Sequence, residues 1–220
     1  MKVLPIILTC LALNCPINES KFGNLIDENK ISTVKICSEG KLFQENIEIE
    51  VSSGEEKIII EPSVNIGYNP QIFIANFLDN KLEQVFYSIE GNDNKNFYQI
   101  FSFNSGKAVC LFDSDNFKPT IEASYSDNNI IKISYQGKQL FLNNPSSDLC
   151  NHDDCLLNVS EVLTAIPYHN TRQDKYYLQL LQSVYGGYEA NCFGYISSFI
   201  EIKEDGFTII SVGTSSNLII

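Results

Sequence analysis

Phe199-Ile200-Glu201-Ile202-Lys203-Glu204-Asp205-Gly206-Phe207-Thr208-Ile209-Ile210-Ser211-Val212 decides the fold class. Two runs rich in Ile, Phe and Val flank Glu204-Asp205-Gly206, and Asp-Gly supplies the positive φ that a tight hairpin turn requires. Before the turn, Ile200 and Ile202 alternate with Glu201 and Lys203, the period of a strand with one buried face. A second hairpin reads the same way. Ile131, Ile133 and Tyr135 alternate with Lys132 and Ser134, and the chain returns through Gln136-Gly137-Lys138 into Gln139–Leu142.

The period of two extends over most of the chain. Ile47, Ile49 and Val51 alternate with Glu48 and Glu50. Lys57–Ile60, Gln71–Phe77, Gln84–Ile89, Phe97–Phe103, Ala108–Phe112 and Thr120–Tyr125 are further short runs of β-branched and aromatic residues. Turn clusters separate them: Ser52-Ser53-Gly54-Glu55, Gly91–Asn96, Asn104-Ser105-Gly106 and Ser126–Asn129. Lys175–Val184 is the one segment with a plausible helical reading, and its Tyr176, Tyr177 and Val184 suit a strand equally. Such closely spaced strands with polar turns predict an all-β antiparallel fold, a β-sandwich or jelly-roll-like arrangement in one long or two tandem lobes. Asn143–Asp154, with Pro145, two serines and Cys150, and with Cys155 directly after it, marks the expected boundary between a β-sandwich domain over 13–145 and a smaller β lobe over 146–220.

The N-terminus bears on location. Lys2 precedes Val3–Leu13, an apolar run too short to cross a bilayer and built like a secretory signal peptide. Cys10 and Ala12 are small enough for positions −3 and −1, which places cleavage after Ala12 and makes 1–12 the signal peptide. Cleavage removes one of the seven cysteines and leaves Cys15, Cys37, Cys110, Cys150, Cys155 and Cys192. An even set in an exported chain reads as a disulfide framework, though sequence alone does not choose the pairing. Asn18-Glu19-Ser20 and Asn158-Val159-Ser160 are glycosylation sequons, which makes Asn18 and Asn158 candidate acceptors.

Composition narrows the partners. The formal charge is −12 and Arg172 is the only arginine, so no basic stripe exists to displace counterions from a polyanion. Nucleic acid, heparin and anionic lipid are thereby disfavoured. No second long apolar run follows, so no membrane span is expected.

Few residues point to chemistry. Cys150-Asn151-His152-Asp153-Asp154-Cys155 offers three zinc-type donors, yet no second Cys or His pair stands at knuckle spacing, and a disulfide staple is the simpler reading. No cofactor is expected. His152 and His169 are the only imidazoles, and no Gly-x-Ser-x-Gly elbow accompanies them. Glu48/Glu50 and Glu201/Glu204 are the carboxylate pairs to weigh for a glycosidase, the first reading as an outward charged face. Asp113-Ser114-Asp115-Asn116 and Asp127-Asn128-Asn129 are oxygen-rich turns, a composition that local turn chemistry explains as well as calcium does. Tyr68, Tyr168, Tyr176, Tyr177, Tyr185 and Tyr188 could present amphipathic rings to a glycan or protein surface. Tyr168, Tyr185 and Tyr188 are the candidate contacts, the last two within the loop-like Tyr185-Gly186-Gly187-Tyr188.

Leu157–Tyr168, the strand after it, Val184-Tyr185-Gly186-Gly187, and Ile202–Val212 with Ser216-Asn217-Leu218-Ile219-Ile220 resemble the later part of nematode CUB-like secreted proteins. The resemblance covers about a third of the chain. It implies a signal-bearing β-sandwich protein associated with intestinal and epidermal innate immunity, and it assigns no site residues. The expectation is a secreted, non-enzymatic recognition module. A secreted carbohydrate-active hydrolase with fold-assembled carboxylates, or a structural surface or coat component, are the alternatives.

Overall fold

The computed structural model describes residues 20–92, 95–118, 121–127, 130–143, 156–186 and 192–216. The described chain is all-β, with every strand pairing antiparallel. The strands are β1 (Lys21–Gly23), β2 (Ser32–Gly40), β3 (Phe43–Ser53), β4 (Glu56–Ile60), β5 (Gly67–Ala75), β6 (Gln84–Glu90), β7 (Asn96–Asn104) and β8 (Lys107–Asp113). They continue as β9 (Ile121–Asp127), β10 (Ile130–Tyr135), β11 (Lys138–Asn143), β12 (Leu157–Val159), β13 (Thr164–Asn170), β14 (Lys175–Gly186), β15 (Cys192–Lys203) and β16 (Gly206–Ser215). Lys175–Val184 is therefore a strand. Its buried Leu178, Leu180, Gln182 and Val184 fall on every second residue, and pairing with β13 and β15 selects the extended form.

The first sheet runs β1-β2-β3-β5-β6-β7-β8, with β4 beside β3. It folds over itself. Val34, Ile36, Ile47, Ile49, Val51, Ile58 and Ile60 from β2–β4 meet Ile72, Val85, Tyr87, Ile89, Phe101 and Phe103 from β5–β7 in one apolar core. The corner is Gly67 at the start of β5, with φ +155°; a Cβ there would lie 2.3 Å from the Glu90 carbonyl oxygen. Burial in this core drives the Tyr87 phenol far above its ordinary value.

The opposite face of β6–β8 is buried too. Phe86, Tyr98, Ile100, Leu111 and Phe112 pack against Ala165, Leu178, Leu180, Ile200 and Ile202 of the last sheet. β6 and β7 thus form a middle layer covered on both sides, which is why consecutive residues such as Val85-Phe86-Tyr87 and Ile100-Phe101 are apolar and buried.

The last sheet runs β12-β14-β15-β16 with β13 also on β14, and β9–β11 form a separate three-stranded sheet. Ile121, Ile131, Ile133, Tyr135 and Leu142 of that small sheet share a core with Val184, Phe193 and Ile196 of β14 and β15. Gly194 permits this approach, because a Cβ there would sit 2.7 Å from Leu142 Cδ2. The inner face of β14–β15 is accordingly a common roof over β6–β8 at one end and β9–β11 at the other. The change of sheet falls between β8 and β9, and apolar contacts cross the expected 145/146 boundary; 144–155 lies outside the described residues.

Both anticipated hairpins form, β10–β11 and β15–β16. The turn Gln136-Gly137 has φ of 46° and 75°, the doubly positive pattern of a type I′ turn, and Ser105-Gly106 repeats it between β7 and β8 at 52° and 75°. In β15–β16 the turn residues are Glu204 and Asp205, and the positive φ lies just after them at Gly206.

Candidate recognition face

Because β14 and β15 bury alternate residues, their remaining side chains make the outer face of the last sheet. β14 contributes Tyr177, Gln179, Leu181 and Tyr185 to it, and β15 contributes Tyr195, Ser197, Phe199 and Glu201. Register assembles the rest: Tyr168 lies opposite Tyr177, and Ile166 opposite Gln179, which in turn faces Phe199. Tyr168 is 51% exposed, and its ring stands edge-on to Phe199 with centroids 5.5 Å apart and planes at 80°. Gln179 Nε2 donates to Ser197 Oγ at 3.0 Å, which fixes the amide beside the rings.

The end of this face near Tyr168 is held electrostatically. Lys175 is buried, its Nζ lies 2.9 Å from Glu201 Oε1, and the ammonium sits 5.9 Å from the Tyr177 ring centroid. The Tyr177 hydroxyl donates to Gln173 Oε1. The face therefore carries an exposed tyrosine braced by a half-buried phenylalanine, an exposed aliphatic and an oriented amide on rigid strands. Such a face offers ring contact and directional hydrogen bonds to a ligand.

Tyr185 shares this face but not this cluster. It lies eight residues along β14 from Tyr177, roughly 26 Å at about 3.3 Å per residue, and it pairs with Asn158 on one side and Cys192 on the other. Tyr188, like Asn18, falls outside the described residues. Of the other tyrosines weighed, Tyr68 is partly exposed and packs edge-on to Phe43 at 5.0 Å. Tyr176 turns inward, against Phe73, Phe77 and the stacked His169 ring. Ile166, Gln179 and Phe199 were not singled out from sequence. The alternation Tyr177, Gln179, Leu181 would have found the β14 members once the strand reading was chosen over the helical one.

Of the six cysteines expected to pair, Cys37 is disulfide-bonded, and Cys15, Cys150 and Cys155 lie outside the described residues. Cys110 and Cys192 are free thiols, which corrects the expectation for these two. Parity counts cysteines without their register: the residue opposite Cys110 is Phe101, and the residue opposite Cys192 on β14 is Tyr185. Cys110 Sγ donates instead to the Phe112 carbonyl at 3.2 Å, and burial, then the nearby Asp113, push the thiol up to about 11. Cys192 Sγ donates to the Gly194 carbonyl at 3.5 Å.

The remaining candidates have local partners. His169 lies on β13, with Nε2 3.0 Å from Asp174 Oδ1. Glu50 accepts Lys57 Nζ at 2.8 Å, which is the main cause holding its carboxyl below the usual range, and Glu201 holds Lys175. Asp113 spends its oxygens on Asp115 N, Ser63 Oγ and Gln99 Nε2, at 2.9, 3.0 and 3.0 Å. Among the described residues no group of three His, Cys, Asp or Glu side chains converges as metal ligands. Among the described residues no helix is long and apolar enough to cross a membrane. Comparison with protein-family models, with curated proteins and with solved structures finds no match for this chain.

Proposed function

We propose that this chain is a secreted, non-enzymatic recognition module that presents the outer face of β13–β15 to a glycan or protein surface outside the cell. The observation that carries this reading is the exposed Tyr168 ring braced by Phe199, with Ile166 and the oriented Gln179 amide beside it. Rigid strand-borne aromatics contribute contact area at small entropic cost, and fixed amides contribute direction. The acidic composition and single arginine favour neutral or cationic ligands over polyanions.

The reading includes removal of 1–12 as a signal peptide, and glycosylation at Asn18 and Asn158. It also takes the later strands as CUB-like, with the defence role that resemblance implies. A glycan array and whole microbial cells, probed with the secreted protein, test it. Tyr168→Ser should lower retained binding at least tenfold and leave the melting temperature within about 2 °C, because an exposed position contributes little to stability. Equal binding by the variant, or no binding by the parent, refutes the assignment of this face.

A further inference from the structure

Asn158 and Tyr185 are direct cross-strand partners in the β12–β14 ladder. Opposite residues of an antiparallel pair project from the same face with Cβ atoms about 4.5–5.5 Å apart. Asn158 is exposed, and its Nδ2 donates to the Leu156 carbonyl at 3.3 Å. That bond needs one of the two amide hydrogens and leaves the other for substitution. Leu156, two residues upstream, is an apolar side chain 82% exposed.

We propose that Asn158 carries an N-linked glycan whose first N-acetylhexosamine lies against the Tyr185 ring and shields Leu156. A pyranose presents an apolar C–H face and a hydroxyl rim, which matches a phenol ring with its polar edge. Tyr185 is then a structural support for the protein's own glycan, and the ligand face is left to Tyr168 and its neighbours. In the attachment step Asn158 Nδ2 forms a bond to the anomeric carbon of a polyprenyl-diphosphate-linked oligosaccharide. The anomeric C–O bond breaks, the polyprenyl diphosphate leaves, and one amide proton passes to a base. The inference rests on the extracellular reading.

The test uses full-length protein secreted from eukaryotic cells. Peptide mass mapping should find Asn158 modified, and enzymatic deglycosylation should lower the melting temperature of the parent by about 2–4 °C, the shift expected at this chain length for a single favourable contact. In Tyr185→Ser the same treatment should shift it by less than about 1 °C. Tyr185→Leu, which keeps apolar bulk without the ring, guards against a variant that fails to fold. A secreted chain with Asn158 bare overturns the inference, as does an equal loss on deglycosylation with and without the Tyr185 ring. Retention in the cell with an intact N-terminus sinks the extracellular reading, and this inference with it.

Discussion

Ile100→Ala tests the middle layer. Ile100 lies on β7, fully buried, on the face that meets Leu178, Leu180 and Ile200. The substitution removes three carbons, about 2.4 kcal/mol at about 0.8 kcal/mol per buried methylene. The cavity left between two sheets cannot collapse freely, because β7 is held by ladders to β6 and β8. The total cost is then about 3–4 kcal/mol, within the range for large-to-small core changes. At about 2–4 °C per kcal/mol for a chain of this size, the melting temperature should fall by about 10 °C. Ile59 on β4 is the control. It is 51% exposed between the buried Ile58 and Ile60, so Ile59→Ala should cost under about 1 kcal/mol. Urea unfolding followed by circular dichroism measures both. An Ile100→Ala cost no larger than that of Ile59→Ala would mean that the last sheet does not cover β7.

Lys175 is buried more deeply than Glu201, so the two halves of their ion pair should not be equivalent. Glu201→Gln strands the ammonium and should cost about 2–3 kcal/mol, whereas Lys175→Met leaves a carboxylate that reaches water and should cost about 1 kcal/mol; thermal melts that reverse this order refute the assignment. Cys110 should react slowly with iodoacetamide. Its rise from 9.0 to about 11 leaves roughly 100-fold less thiolate near pH 8, offset by roughly tenfold higher nucleophilicity, so alkylation should run about tenfold slower than for a thiol of ordinary pKa. The sign for stability follows: the folded state holds this proton more tightly than the unfolded state, so the contribution is full below about pH 9 and lost as pH rises through about 11. Gly67→Ala should destabilise, since its Cβ would press on the Glu90 carbonyl at a backbone angle that L side chains rarely adopt; an unchanged urea midpoint would contradict the corner geometry.

Local features were the legible part of the sequence. Gln136-Gly137 and Glu204-Asp205-Gly206 announced their hairpins because turn chemistry is written in adjacent residues. The alternation around Ile49 and Ile133 announced strands for the same reason. The apolar runs at Gln84–Ile89 and Phe97–Phe103 carried a further signal: no alternation means two buried faces, which is what β6 and β7 have. Ser32–Gly40 was not among the segments read as strands, although Val34 and Ile36 are core residues of β2.

Nonlocal pairing was not legible. Nothing near Gly67 or Phe43 shows that β5 joins β3 at a corner, and nothing in β9–β11 shows that it packs under β14 and β15. For the candidate site, Tyr168 was named from composition, but its brace Phe199 arrives from a strand about thirty residues away, through two ladders. The separation of Tyr185 from Tyr168 likewise depends on β14 being a single long strand, a choice that the ambiguous stretch Lys175–Val184 left open.

The measurement that bears most directly on the extracellular account is peptide-mapped intact mass of the protein recovered from the medium of eukaryotic cells, with and without reduction and thiol labelling. The account predicts a new N-terminus at Leu13, a glycan on Asn158, and label without reduction on Cys110 and Cys192 but not on Cys37. A chain that keeps Met1, carries no glycan and labels at Cys37 without reduction would contradict it.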